Sequence, residues 1–173
     1  MSTVDLVIKG AQLPDGKTAD ICIQGESIID VTASYKGESV TTIDAKGCVV
    51  LPGLVDLHTH LRDPGREDAE TVLSGSKAGA KGGFTALSAM ANTSPVADTA
   101  GVVEQVYRLG QEAGLLDVFP IGAVTQGLKG ETLSEIGAMA DSVARVRVFS
   151  DDGNCVSDPL VMRRALEYIK KFG

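Results

Sequence analysis

The sequence predicts an α/β fold in which a small all-β segment precedes a run of strand–helix units. The first part of the chain holds short segments rich in Ile, Val and Thr, separated by turns that contain Gly or Pro. From residue 53 onward, apolar strand-like runs alternate with helical stretches, a pattern typical of a parallel sheet with helical crossovers. We therefore divide the 173-residue chain into segments 1–52 and 53–173.

Four short strands are predicted in the first segment. Turns with the sequences LPDG, QGE and KG separate them. The sheet that they form is too small to cover both of its faces alone. The predicted strands are Val4–Lys9, Asp20–Gln24, Ser27–Val31 and Thr41–Asp44.

Four strand–helix units are predicted in the second segment. The last helix is amphipathic, with Asp158 as its N-cap and Pro159 at its first position. A complete eight-stranded barrel needs about 250 residues, so we expect this chain to be truncated and to associate through its open sheet edges. The predicted units are Leu54–Leu57 with Ala69–Lys81, Gly83–Met90 with Ala100–Ala113, Val118–Val124 with Leu133–Ser142, and Val146–Phe149 with Pro159–Phe172.

Composition and charge argue against nucleic-acid and membrane partners. The net charge is −7, there is no Trp, and no basic stripe is present, so we predict no nucleic-acid partner. The sequence has no apolar run long enough for a membrane span and no N-terminal leader, which predicts a cytoplasmic protein without a membrane partner. The three cysteines form no CxxC pair and are expected to be reduced. No glycine-rich nucleotide motif follows a predicted strand.

The only two histidines of the sequence, His58 and His60, stand two residues apart at the end of a predicted strand. Period-two geometry places both side chains on one face, where two imidazoles suit a divalent metal such as Zn²⁺. The alternative is two ordinary polar residues that end a strand. Arg62 follows closely and could receive an anionic substrate, although most arginines form surface ion pairs.

Polar residues also follow two later strands. Asn92 can donate an amide N–H to a carboxylate, or can mark a turn before Pro95. Asp151 and Asp152 follow the fourth strand, and either could bind metal or belong to an acidic turn. Catalytic groups in parallel barrels come from the ends of several strands, which favours a shared site.

Four motifs stand out, PGLVDLHTHLRDPG at 52–65, GGFT at 82–85, MANTSP at 90–95 and FSDDG at 149–153. Together they resemble the amidohydrolase superfamily and, within it, the N-terminal portion of the type I dihydroorotase family. The resemblance covers the whole chain and implies a small β-sandwich segment followed by the first half of a (β/α)8 TIM-type barrel with about four βα units. Ala91 stands where many members have Pro.

This resemblance implies a zinc-dependent cyclic amidohydrolase that interconverts N-carbamoyl-L-aspartate and dihydroorotate in pyrimidine biosynthesis. His58 and His60 would bind one or two zinc ions together with Asp152, with Asp151 as second choice. His60, Arg62 and Asn92 would bind the small anionic substrate. The general acid/base is expected beyond Gly173, so we expect the chain alone to be inactive.

Two alternatives remain open. One is another cyclic amidase, such as a hydantoinase-like or allantoinase-like protein, although those usually have a carboxylated lysine and Val146–Asp152 contains none. The other is a non-catalytic relative that assembles with aspartate transcarbamoylase. A homo-oligomer is also predicted.

Overall fold

The computed structural model describes residues 3–172 and separates the chain into two compact units, one ending at Pro52 and the other beginning at Gly53. Residues 1, 2 and 173, which belong to the predicted segments 1–52 and 53–173, lie outside the described residues. No helix within residues 3–172 has both the length and the apolar character that a membrane span requires.

The N-terminal unit contains a four-stranded sheet with the spatial order β3-β2-β1-β4. β2 pairs antiparallel with both β1 and β3, whereas β1 and β4 pair in parallel. All four predicted strands are confirmed, and each extends into flanking residues beyond its predicted bounds. The strands are β1 (Val4–Gln12), β2 (Thr18–Gln24), β3 (Ser27–Thr32) and β4 (Ser39–Asp44).

The core of this unit is small. Val4, Val7 and Cys22 pack together, and the last two are fully buried opposite each other on β1 and β2. Burial raises the pKa of the Cys22 thiol. Apolar side chains of β3 and β4 are exposed, Val40 by 76%. The described strands form one sheet, and a two-layer β-sandwich stays a prediction.

A buried carboxylate in β2 binds two other parts of this unit. Asp20, which is 8% exposed, accepts hydrogen bonds from the backbone N–H of Gly10 and of Tyr35, each at 2.9 Å. These bonds, the one from Tyr35 first, hold the pKa of Asp20 below its usual value. The ionised side chain therefore stabilises the unit.

The C-terminal unit is built on a parallel sheet. β5 (Leu54–Thr59), β6 (Phe84–Ala89) and β7 (Asp117–Pro120) lie side by side in chain order. α1 (Val72–Lys81) connects β5 to β6, and α2 (Ala100–Ala113) connects β6 to β7. This alternation is the predicted α/β pattern, although a complete barrel is not formed by the described residues.

Two further helices follow the sheet. α3 (Ile136–Asp141) and α4 (Pro159–Ile169) are both shorter than predicted. α4 begins where expected, because the Asp158 carboxylate accepts hydrogen bonds from the backbone N–H of Leu160 at 2.7 Å and of Val161 at 3.3 Å.

The segment Val146–Phe149 does not form the regular fourth strand that the sequence predicts. It makes a single parallel bridge, in which the N–H of Gly122 donates to the carbonyl of Val148 at 3.1 Å and the N–H of Ser150 donates to the carbonyl of Gly122 at 2.9 Å. Two residues earlier the equivalent donor would be Pro120, which has no N–H. The ladder therefore stops after one bridge.

The helices pack closely on the parallel sheet. At Gly110 in α2, an added Cβ would lie 2.6 Å from the Cβ of Val118 in β7, so the absence of a side chain permits the close approach. Two buried clusters hold these elements together. They are Leu61, Val72, Leu87, Ala89, Val106 and Val118, and Ala91, Ala97, Val102, Val103, Ala123, Met139, Ala144 and Val146.

Candidate metal centre

The two histidines lie together at the carboxyl end of β5. The ring centroids of His58 and His60 are 5.1 Å apart, with an angle of 72° between the ring planes. Thr59, the residue between them, forms hydrogen bonds to β6 and to the residue that follows it. The hydroxyl of Thr59 donates to the carbonyl of Ser88 at 2.9 Å, and its carbonyl accepts from the N–H of Met90 at 2.9 Å. These bonds fix the end of β5 against β6 and so position both imidazoles.

Asp152 reaches the histidines from the segment after the bridge at Phe149. Its Oδ1 atom lies 3.0 Å from Nε2 of His58 and 3.9 Å from Nε2 of His60. Its backbone has a left-handed φ of 55°, which non-glycine residues adopt rarely and Asp more readily than most. The left-handed residue turns the chain at this point, and its carboxylate faces the two rings.

The neighbouring aspartate has a different environment. Asp151 is 4% exposed, and its Oδ1 accepts from the backbone N–H of Val124 at 2.8 Å and of Thr125 at 3.0 Å. Its Oδ2 accepts from the hydroxyl of Thr125. The structure therefore separates two residues between which the sequence could not decide: Asp152 lies beside the histidines, and Asp151 is held by another loop.

Asn92 connects one histidine to the aspartate. Its Nδ2 donates to Oδ2 of Asp152 at 2.7 Å, and its Oδ1 lies 3.0 Å from Nδ1 of His60. An ionised carboxylate only accepts, so the amide nitrogen faces Asp152 and the amide oxygen faces His60. The oxygen in turn requires a proton on Nδ1 of His60. In the neutral ring, the lone pair then lies on Nε2, the atom nearer to Asp152.

The loops that follow β5 and β6 pack against each other. The N–H of Ser94 donates to the carbonyl of Pro64 at 3.0 Å. At Gly65, where φ is 98°, an added Cβ would lie 1.9 Å from the carbonyl oxygen of Ser94. Only glycine permits this approach, which brings the loop that carries Arg62 beside the loop that carries Asn92.

Within residues 3–172, Arg62 forms no side-chain hydrogen bond or ion pair with the histidines or with Asp152. Its backbone is left-handed, with a φ of 60°, and its side chain is partly buried. Among residues 3–172, no hydrogen bond or ion pair of its guanidinium group is found. The group is therefore available to an anion from outside the described chain.

The donor set fits a metal ion. Within the described part of the chain, His58, His60 and Asp152 form the one group of three or more His, Cys, Asp or Glu side chains whose ligand atoms all lie within 4.8 Å of one another. Imidazole nitrogen and carboxylate oxygen are both ligands of Zn²⁺. The side chains are 59%, 31% and 16% exposed, respectively, so solvent and small molecules reach the group.

An apolar cavity lies apart from the three metal-group residues. It has a volume of about 320 Å³ and contains none of the three metal-group residues. Phe119, Val146 and Val148 contribute an apolar lining, with Arg145 and Arg147 at its polar part. This cavity is therefore not part of the candidate metal centre.

Sequence reasoning missed two features of the site. It assigned Asn92 to substrate alone, whereas the side chain also bridges His60 and Asp152. It did not single out Thr125, which is fully buried and binds Asp151. The local signal for Thr125 was weak, because a threonine after an apolar run is common at strand ends.

The matching family model and the curated relatives agree on one family. A family model described as dihydro-orotase-like matches residues 47–169. The dihydroorotase of Leifsonia xyli subsp. xyli is 63% identical to this chain over 172 residues, which are 99% of the chain and 39% of that protein. The dihydroorotase of Streptomyces coelicolor is 60% identical over 166 residues, 96% of the chain and 39% of that protein. The chain thus spans about two-fifths of the length of these curated relatives.

A solved structure extends the likeness to the fold. The L-hydantoinase (dihydropyrimidinase) from Arthrobacter aurescens superposes with a TM-score of 0.70 at 27% sequence identity. The superposition covers 84% of this chain and 32% of that structure. The mixed α/β fold of the chain is therefore shared with a hydantoinase.

Proposed function

Because this chain belongs to the dihydro-orotase-like family, we propose that it forms part of a zinc-dependent dihydroorotase. The proposed reaction interconverts N-carbamoyl-L-aspartate and dihydroorotate in pyrimidine biosynthesis. The observation that carries the proposal is the convergence of His58, His60 and Asp152, whose ligand atoms lie within 4.8 Å of one another.

In the proposed site, Nε2 of both histidines and the carboxylate of Asp152 would hold one or two zinc ions. Zinc, when bound, polarises the amide carbonyl of a substrate and activates a water. Asn92 keeps the lone pair of His60 on Nε2 by accepting from Nδ1, at 3.0 Å. The same amide holds Asp152 in place through its Nδ2 at 2.7 Å. The chain thus orients its ligands through hydrogen bonds outside the metal shell.

The proposed substrate carries a carboxylate, and two side chains support this assignment. The guanidinium of Arg62 makes no ion pair within residues 3–172. The amide of Asn92 has two N–H groups, of which one donates to Asp152. The second N–H and the guanidinium lie on adjoining loops and are suited to bind one anion.

A carboxylate-bearing substrate favours dihydroorotase over a hydantoinase with a neutral ring. The resemblance attributes a carboxylated lysine to hydantoinases at the acidic pair. This chain has Asp151 and Asp152 there, and no lysine occurs in Val146–Asp152. The likeness to the Arthrobacter aurescens L-hydantoinase supports a shared fold. The choice of substrate therefore rests on the residues of the site.

Zinc content tests the metal centre. The 173-residue chain is purified with zinc, passed over a desalting column and analysed for metal by plasma emission spectrometry. We expect one or two equivalents of zinc, and we expect their loss in His58→Ala because one imidazole ligand is removed. The matched control replaces the exposed cysteines, Cys48→Ser and Cys155→Ser, since thiols also bind zinc.

Zinc that stays with His58→Ala but leaves with the cysteine variants would overturn the assignment of the site. A folded wild-type chain that takes up no zinc would do the same. If such a metal-free chain bound aspartate transcarbamoylase, the non-catalytic alternative would replace the enzymatic one.

A further inference from the structure

Asp151 is a buried carboxylate next to the candidate metal ligand Asp152, and it is not among the three residues of the candidate metal group. Among the described residues, all of the hydrogen bonds to the Asp151 side chain come from the loop after β7: two from backbone N–H groups and one from the hydroxyl of Thr125. Within residues 3–172, Asp151 forms no ion pair. Its oxygens therefore accept from N–H and O–H groups of one loop, an arrangement that fixes the two segments against each other.

The loop is itself closed by the same threonine. The Oγ1 atom of Thr125 accepts from the N–H of Gly130 at 2.9 Å while its proton goes to Asp151. Thr125 is fully buried, so no water replaces these partners in the folded chain. The Thr125 hydroxyl thus bonds both to Gly130, at the other end of segment 125–130, and to the carboxylate of Asp151.

The bound Asp151 is joined to Asp152 by a single peptide bond, so it restrains the backbone of Asp152. The N–H of Asn154 donates to the carbonyl of Asp151 at 3.0 Å, and the N–H of Asp152 donates to the hydroxyl of Ser150 at 3.0 Å. Between these fixed neighbours, Asp152 adopts its left-handed φ of 55°. An uncommon conformation of this kind persists where the surroundings impose it.

We propose that Asp151 is a positioning residue, whose buried carboxylate holds the chain so that Asp152 faces His58 and His60. The inference rests on the proposed zinc site and deepens it by naming what supports its third ligand. Groups that hydrogen-bond to metal ligands typically change metal affinity 10–100-fold when replaced, and we expect an effect of the same order from Asp151, which acts on its neighbour through the backbone.

The test measures zinc dissociation constants by competition with a chromophoric chelator, together with the visible absorption of bound Co²⁺. We expect Asp151→Asn to weaken zinc binding by about 10–100-fold and to change the Co²⁺ spectrum. Asp152→Asn should weaken it further, because it removes a ligand. Melting curves followed by circular dichroism establish that each variant is folded.

A second pair of variants covers the case in which Asp151→Asn does not fold. Thr125→Val removes the hydroxyl that donates to Asp151, and we expect weaker zinc binding. Thr125→Ser retains the hydroxyl and should restore an affinity close to that of the wild type. The matched control is Asp20→Asn, which alters another buried carboxylate that accepts two backbone N–H bonds, in the N-terminal unit. It should lower stability without changing the zinc dissociation constant.

The outcomes separate this inference from the proposed function. If folded Asp151→Asn and Thr125→Val bind zinc as tightly as the wild type while Asp152→Asn does not, the positioning role is wrong and the metal site stands. If Asp151→Asn loses all zinc and Asp152→Asn keeps it, Asp151 is itself the ligand. If the wild type binds no zinc, the proposed site and its positioning residue both fail.

Discussion

Replacing Asp20 by Asn tests whether a buried charge stabilises the N-terminal sheet. In the native chain, each carboxylate oxygen accepts one backbone N–H at 2.9 Å. The amide of Asn keeps one acceptor and turns its NH₂ group toward the other N–H. The loss of one charge-assisted bond, about 1.5–3 kcal/mol, and the weakening of the second, about 0.5–1 kcal/mol, give a total of about 2–4 kcal/mol.

The pH dependence gives this prediction its sign. Because the hydrogen bonds from Tyr35 and Gly10 lower the pKa of Asp20 in the folded chain, the unfolded chain binds the proton more readily. The stabilisation is complete above the unfolded pKa of about 3.9. It is lost as the pH falls through the lower, folded-state pKa. The difference between wild type and Asp20→Asn should therefore be largest near neutral pH and shrink in acid.

The assay is urea unfolding between pH 2.5 and 7, followed by far-ultraviolet circular dichroism and by tyrosine fluorescence, since the chain has no Trp. Asp15→Asn is the control, because that exposed carboxylate pairs with Lys17 at the surface. Its replacement should lower the free energy of unfolding much less than Asp20→Asn does. Equal stability of Asp20→Asn and wild type at pH 6–7 would refute the reasoning. A difference that grows in acid would refute it as well.

Two further substitutions test packing in the C-terminal unit by thermal melting. Gly110→Ala should destabilise by about 1–2 kcal/mol, because the new methyl group meets Val118 and the strain exceeds the gain in helix propensity. Gly101→Ala in the same helix meets no atom within 4 Å and should stabilise by up to about 1 kcal/mol, so equal effects of the two would contradict this account. Ser76→Ala removes a buried hydroxyl that has no partner among the described residues, and it should leave stability unchanged or raise it by about 1 kcal/mol. A clear loss of stability would show that the hydroxyl is bonded.

Local patterns predicted most elements well. The bounds of α2, Ala100–Ala113, agree with the structure at both ends. α1 begins at Val72 rather than at Ala69, because Thr71 caps the helix through the backbone N–H of Ser74. β7 ends at Pro120, before the end of its apolar run, although the N–H of Ile121 still donates to the carbonyl of Ala89 at 2.8 Å.

The candidate site was only partly predictable, because its geometry depends on contacts distant in sequence. The spacing of His58 and His60 was sufficient to predict a shared face. The choice between Asp151 and Asp152 was not, because alternation along a strand says nothing about which residue a distant loop will bind. In the structure, Val124 and Thr125 bind the Asp151 carboxylate in the interior, and Asp152 lies beside the histidines.

The bridge that Asn92 makes has a consequence for folding. It joins His60, 32 residues earlier, to Asp152, 60 residues later, so the three side chains meet only when the ends of β5 and β6 and the bridged segment Val146–Phe149 are correctly aligned. A cation bound there would recognise the assembled sheet and not the unfolded chain, and its binding energy would add to the stability of the fold. Metal uptake would then serve as a measure of whether the parallel strands have found their register, independently of any turnover.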